Sequence, residues 1–197
     1  MSTLTEVIDA LEAGGLVVVP TDTVYGLACL PGDEVSVRAL STLKRRSAEQ
    51  PVALIATSVD ALVELVPELP RRLMLAGGPY TLVIPNPAQR LRWLTGARPD
   101  TIGVRVPELS GPAADVLERV GVLAATSANL HGGADPRRVD DVPDEILAGV
   151  AAVLDVGELP GLPSTVVDLT GPEPRVLREG AVPSAETLAR VAAALED

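Results

Sequence analysis

Thr3 and Glu6 stand at capping-box spacing, and Val7, Ile8 and Leu11 recur at helical intervals until Gly14-Gly15, which predicts a short first helix. Leu16-Val17-Val18-Val19 follows as an unbroken β-rich run ending at Pro20, the pattern of a strand buried on both faces. A loop carrying Thr21, Asp22 and Thr23 leads to a second extended piece over Tyr25 to Cys29. Between Asp33 and Leu43 the apolar positions Val35, Val37, Ala39, Leu40 and Leu43 fit a helix better than a strand. Strands are expected over 52–56, 81–84, 102–106 and 122–126, and helices around 59–65, 70–75 and 112–120, with a break at Gly77-Gly78-Pro79. A loop over 130–138, rich in glycine and charge, then precedes a helix at 143–148, extended pieces at 150–154, 164–169 and 175–177, and a terminal helix over 184–195. Helices interleave with strands, but several extended neighbours have no helix between them. The expected class is therefore α/β with a mixed sheet.

The 197 residues are 47% hydrophobic, enough for a substantial core, and no low-complexity linker divides them, so residues 1–197 read as one domain. With no Phe, two Tyr and one Trp, recognition of nucleic acid by base stacking is poorly supplied. The net charge of −11 opposes a broad phosphate-binding surface, so any polyanion must meet a local basic patch. Cys29 is the lone cysteine and His131 the lone histidine, which excludes an intrachain disulfide and an ordinary zinc site and leaves no evident Ser-His-Asp set. A reducing cytoplasm is the expected setting. The first residues lack the basic start and apolar core of a signal peptide, and no apolar run approaches a membrane span, so no membrane association is expected.

Three polar clusters carry the candidate chemistry. Lys44 and Arg46 end a predicted helix, where cations can meet phosphate oxygens and stabilise a leaving pyrophosphate, or else form a solvated patch on the helix dipole. Ser127 and Asn129 follow a buried strand and share a face if the chain stays extended. They could bind phosphate or ribose, or simply make a turn. Thr23 and Tyr25 follow the first strand, with Asp22 suited to an amine or a metal. Thr101 and Arg105, four apart, would share a strand face, Arg105 either clamping a carboxylate or making a cross-strand salt bridge. Ser164 and Arg178 are the last hydroxyl and cation that fit such a ligand. His131 reads as a surface residue. Neither a P-loop nor a Gly-x-Gly-x-x-Gly turn occurs. The combination suits a phosphorylated ligand with a second polar part.

Seven segments in order resemble the YrdC-like family, the threonylcarbamoyl-AMP synthases that begin threonylcarbamoyl modification of tRNA adenosine. They are residues 20–27 (PTDTVYGL), Lys44 with Arg46, Gly78-Pro79 with Thr81, 104–107 (VRVP), 126–129 (TSAN), 163–168 (PSTVVD) and 177–180 (LREG). The resemblance implies a YrdC/RibB-like three-layer domain, α/β or α+β by scheme, with a twisted mixed sheet and a concave basic cavity. It also implies an enzyme that makes threonylcarbamoyl-adenylate and pyrophosphate from L-threonine, bicarbonate or CO₂, and ATP, with Mg²⁺ accompanying ATP and a tRNA-modifying transferase complex taking the product. Carried over by position, Thr23, Arg105, Ala125 and Ser164 would hold threonine. Arg46, Gln50, Thr101, Ser127, Asp135 and Arg178 would hold ATP, and Lys44, Arg46, Ser127 and Asn129 would form the catalytic tetrad.

Here the family's usual Lys-Pro-Leu is Gln50-Pro51-Val52, a frequent histidine is Ile55, and Asp135 puts a carboxylate where a hydroxyl would meet ATP. Two other readings stay open. One is a paralogue that binds nucleotide or double-stranded RNA without synthesis, its local groove made by Lys44, Arg45, Arg46, Arg137 and Arg138. The other is a carbamoyl-transfer domain, against which the absence of attached domains counts.

Overall fold

A computed structural model of the chain describes residues 1–69 and 78–196. The helix expected at 70–75 lies outside the described residues. Helix α1 (Leu4–Glu12) starts on the expected box: the Glu6 amide donates to Thr3 Oγ1, and Glu6 Oε2 accepts from the Thr3 amide at 2.7 Å. Its Val7 and Leu11 are fully buried, each such side chain contributing roughly 1.5–3 kcal/mol by leaving water.

Among the described residues nine strands form one sheet: β1 (Val17–Pro20), β2 (Tyr25–Cys29), β3 (Ala53–Ala56), β4 (Tyr80–Pro85), β5 (Thr101–Arg105), β6 (Val122–Ser127), β7 (Ala152–Val153), β8 (Thr165–Asp168) and β9 (Arg175–Arg178). Their order is β7-β1-β2-β6-β3-β5-β4-β8-β9. The pairs β1·β7, β3·β5 and β4·β8 are parallel and the remaining pairs antiparallel. The mixed sheet expected from helix-free connections is thus present. The extended piece expected at 150–154 contracts to the two residues of β7, because only there does the chain lie parallel to β1. A 3-10 turn at Arg92–Leu94 had no readable period.

Side chains alternate across the strands, and both faces of β1 are buried. Val17 and Val19 pack with Val7, Leu11, Val116 and Leu117 of α1 and α4 (Pro112–Val120). Leu16 and Val18 join the larger core on the other face. There α2 (Glu34–Leu43), α3 (Val59–Leu65), α5 (Asp144–Ala148) and α6 (Ser184–Glu196) contribute Val37, Leu40, Leu62, Ile146 and Val191. Among the described residues no helix is long and apolar enough to cross a membrane.

At the far edge β9 turns back on β8 and brings two candidate residues together. Just past β9, Gly180 passes close to the chain entering β8: its amide donates to Thr165 Oγ1 at 3.0 Å, and a Cβ there would overlap the Pro163 carbonyl oxygen. Gly180→Ala should therefore destabilise the protein by about 1–3 kcal/mol through backbone overpacking. Thermal or denaturant melting measures it, and an unchanged midpoint would contradict the packing described.

Candidate functional site

The face that α1 and α4 cover beside β1 is left open further along, and alternate residues of five strand segments point into that gap. These are Ala125 and Ser127 on β6, Ala53 and Ile55 on β3, Thr101, Gly103 and Arg105 on β5, Thr81 and Val83 on β4, and Ser164 with Val166 at β8. They line a cavity of about 450 Å³, within the range of small-molecule sites. Small side chains keep its floor low. A Cβ added to Gly103 would make only ordinary contacts, 3.5 Å from Ala53 Cβ and 3.7 Å from Thr81 Cγ2, so the glycine leaves space that a side chain could fill.

Four arginines, Arg46, Arg98, Arg105 and Arg178, share the lining with the carboxylate of Glu49. Arg46 donates from Nε to Gln50 Oε1 at 2.6 Å, from Nη1 to Thr126 Oγ1 at 3.2 Å and from Nη2 to the Pro51 carbonyl. Three of its five N–H groups thus go to neutral acceptors, and burial lowers its pKa without removing the charge. Arg178, exposed at the rim, donates to the Ser164 carbonyl at 2.8 Å. Among the described residues neither Arg46 nor Arg178 has a carboxylate partner, whereas Arg98 pairs with Asp168 and Arg105 with Asp22. Two uncompensated guanidiniums in a chain of net charge −11 mark a place for an anion.

The basic triplet is arranged by the end of α2. The Arg45 amide donates to the Thr42 carbonyl at 2.9 Å and the Arg46 amide to the Ser41 carbonyl at 3.0 Å, a Schellman motif with Arg45 at φ +53°. This left-handed residue turns Arg45 outward to Glu145 and directs Lys44 and Arg46 toward β6. Lys44 does not line the cavity as a phosphate ligand would. It is 3% exposed, and its ammonium donates to the Ser127 carbonyl, to the Asn129 carbonyl at 2.6 Å and to Asn129 Oδ1 at 2.8 Å. All three of its protons are thereby used. Burial, with Arg46 adding repulsion and Asp135 partly offsetting it, pushes the Lys44 pKa down to about 8.

Ser127 Oγ donates to Asn129 Oδ1 at 2.7 Å, so these two side chains meet, although β6 ends at Ser127 and the extended run expected to align them does not continue. Only Ser127 of the pair reaches the lining, because Asn129 is taken up by Lys44 and by the Gly133 carbonyl at 2.6 Å. Thr23, Thr101, Arg105, Ala125 and Ser164 all line the cavity. Ser164 Oγ lies 3.0 Å from Thr81 Oγ1, and Thr101 Oγ1 donates to the Arg98 carbonyl at 3.1 Å. Arg105 lies in a salt bridge, but its partner is loop residue Asp22 rather than a cross-strand acid. Desolvation lowers the Arg105 pKa and Asp22 opposes that shift. Gln50 stands behind the lining as the acceptor of Arg46, and Asp135 lies outside it, acting on Lys44 through charge.

Of the five cations expected to form an RNA groove, Arg46 lines the cavity and the other four each have a protein partner. Lys44 is buried, Arg45 is paired with Glu145, and Arg137 and Arg138 both meet Glu158. His131 is exposed, as expected, and its amide holds the Lys44 carbonyl at 3.1 Å. Reading by motif missed Arg98 and Glu49. The hydroxyl contact of Thr101 to Arg98 follows a turn spacing of three residues, the one local signal that would have directed attention there.

An open sheet face lined by hydroxyls, by guanidiniums without carboxylate partners and by Arg105, itself paired with Asp22, is an α/β-domain cavity whose chemistry suits a small polyanionic ligand with a second polar group. Residues 9–180 match the model of the Sua5/YciO/YrdC family, described as "Telomere recombination". A threonylcarbamoyl-AMP synthase of Pyrococcus abyssi is 36% identical over 184 residues, covering 89% of this chain and 53% of that protein. One of Alkalilimnicola ehrlichii is 34% identical over 180 residues, covering 90% of this chain and 88% of that protein. The solved structure of P. abyssi Sua5 complexed with L-threonine superposes with a TM-score of 0.84 at 34% identity, over 95% of this chain and 56% of that one. This chain thus spans about half the length of the P. abyssi protein. The chain belongs to the Sua5/YciO/YrdC family, and the resemblance read from its motifs is correct.

Proposed function

We propose that this chain is a threonylcarbamoyl-AMP synthase, joining L-threonine, bicarbonate or CO₂, and ATP into threonylcarbamoyl-adenylate with release of pyrophosphate. The observation that carries the proposal is the convergence on one cavity of two uncompensated cations, Arg46 and Arg178, with the hydroxyls of Thr23, Thr101, Ser127 and Ser164 and the guanidinium of Arg105. The names of the relatives and the threonine complex of P. abyssi Sua5 support the same reading.

In this reading Thr23, Arg105, Ala125 and Ser164 seat threonine, and Arg46, Thr101, Ser127 and Arg178 face ATP. Gln50 aims Arg46, while Lys44 and Asn129 hold the segment that presents Ser127. Threonine's amine and CO₂ form a carbamate with loss of a proton. A carbamate oxygen then bonds to the α-phosphorus as the bridge to the β-phosphate breaks. The attacking group is already an anion, so that step needs positioning and charge stabilisation rather than a strong protein base. Among the described residues no three His, Cys, Asp or Glu are grouped to hold a metal ion. Mg²⁺ would be carried in on the phosphates of ATP, and Glu49 is the acidic residue of the lining available to meet it. Bound there, Mg²⁺ would neutralise phosphate charge. The expected setting is the cytoplasm, with the adenylate passed to a tRNA-modifying transferase complex.

Purified protein given ATP, L-threonine and bicarbonate should release pyrophosphate only when all three are present, and Arg46→Ala should lower that rate by about a hundredfold or more. Nucleotide or duplex RNA binding without threonine-dependent pyrophosphate release would overturn the proposal.

Lys44 gives a pH dependence with two opposite signs. Its native pKa of about 8 lies below its ordinary value of 10.5. The unfolded chain therefore binds more protons between those limits, and this group's contribution to stability rises with pH there. Activity needs the three-donor ammonium and should fall as pH passes about 8. Parallel rate and melting measurements across pH 7–9 should show lost activity without lost stability from this group. A rate that is flat to pH 9 would contradict the role given to Lys44.

A further inference from the structure

One cation of the lining is held by a carboxylate that has other partners. The turn before β5 fixes its backbone, because the Thr101 amide and Thr101 Oγ1 both donate to the Arg98 carbonyl at 3.1 Å. From there the Arg98 side chain enters the lining. It donates from Nη1 to Asp168 Oδ2 at 3.2 Å and from Nη2 to Thr170 Oγ1 at 3.0 Å. Asp168 ends β8 opposite Val83, which is itself opposite Gly103 of the cavity floor, so the acid closes a cross-strand row on the cavity face. Its side chain is 6% exposed and that of Arg98 49%, and only the arginine lines the cavity. A ligand there meets the guanidinium.

Three features make that guanidinium available. Among the described residues two of its five N–H groups are engaged, which leaves a donor fork free for a further acceptor. Its ion pair is half-exposed, so water screens it and little is lost when it loosens. Asp168 also keeps partners without Arg98: Oδ1 accepts from the Thr170 amide at 2.9 Å and from Thr170 Oγ1 at 2.6 Å, and Arg175 Nη2 lies 3.5 Å from Oδ2. Arg105 differs on the last two counts, because its pair with Asp22 is buried and Asp22 Oδ2 has no hydrogen-bond partner among the described residues.

We infer that Arg98 is a further binding residue for the polyphosphate of the nucleotide, resting on Asp168 until the anion arrives. The resemblance gives neither residue a role. Arg98 then joins Arg46 and Arg178, and a third guanidinium adds stabilisation where charge grows on the departing pyrophosphate. Arg175 and Thr170 keep Asp168 satisfied once Arg98 turns to phosphate. That the anion is the polyphosphate of ATP rests on the synthase reading, while the exchangeable cation rests on the contacts around Asp168.

Isothermal titration of wild type, Arg98→Ala and Arg98→Lys with inorganic pyrophosphate tests this without needing turnover. Arg98→Ala should weaken binding by about tenfold or more, and it should raise the KM for ATP while leaving the KM for threonine unchanged. Lysine keeps a charge beside Asp168 but has no planar fork to divide between carboxylate and phosphate. Arg98→Lys should therefore melt as the wild type does and still bind pyrophosphate several-fold more weakly. A folded Arg98→Ala that binds as tightly as wild type overturns the proposal, and so does such an Arg98→Lys where the alanine variant does not fold. Arg98 would then be a structural partner of Asp168 only. A wild type that binds no pyrophosphate overturns it as well. Threonine-dependent pyrophosphate release by the wild type, measured in parallel, separates the two ideas: its absence contradicts the synthase reading, while the titration alone decides the role of Arg98.

Discussion

The ammonium of Lys44, held by two carbonyls and a carboxamide at the end of β6, is the contact on which the rest of the site depends. It fastens the end of α2 to a segment more than eighty residues away in sequence. The adjoining Schellman turn then leaves Arg46 beside Thr126 and Ser127 instead of in solvent. A buried lysine is normally unfavourable, and the cost is offset here by satisfying all three donors. The tetrad is therefore divided in labour. Lys44 and Asn129 fix the geometry, and Arg46 and Ser127 present it to the cavity.

The second requirement is an uncovered sheet face. Helices α1 and α4 pack over the β1 side, in one cluster with Ile55 of β3, and beyond it the face is open, where Ala53, Gly103 and Ala125 keep the floor shallow. The same pleat that hides Val17 and Val19 under α1 therefore aims Thr101, Arg105, Thr81 and Ser127 into open space. The turn after β1 supplies Thr21 and Thr23, and β9, at the sheet's edge, supplies Arg178.

Much of this was legible beforehand. The capping box at Thr3, the apolar runs of β1 and β6 and the helical spacing of α2 each have a local cause, and each element formed where that cause lies. The two-residue period also correctly placed Thr101 with Arg105, whereas Ser127 and Asn129 meet through a side-chain hydrogen bond past the end of β6 and only Ser127 faces the cavity. What escaped notice depends on contacts distant in sequence. A lysine's burial is invisible in its residue type, so Lys44 read as a phosphate ligand. Arg105 read either as a clamp for a ligand carboxylate or as half of a cross-strand salt bridge, and its partner Asp22, 83 residues away on a loop, was in neither. Arg45 takes a left-handed turn without the glycine that would have announced it. Asp135 looked like a nucleotide contact because its loop was aligned by motif, and the loop carries it past the lining.

The division of labour within the tetrad is most directly tested by amide hydrogen exchange on wild type and Lys44→Met. The His131 amide bonds to the Lys44 carbonyl and the Gly133 amide to the Leu130 carbonyl. Without the ammonium, exchange should quicken across residues 128–133 while the amides of β1 and β3 keep their protection. Unchanged exchange in that segment would contradict the account, because Lys44 would then not be what holds Ser127 and Asn129 in place.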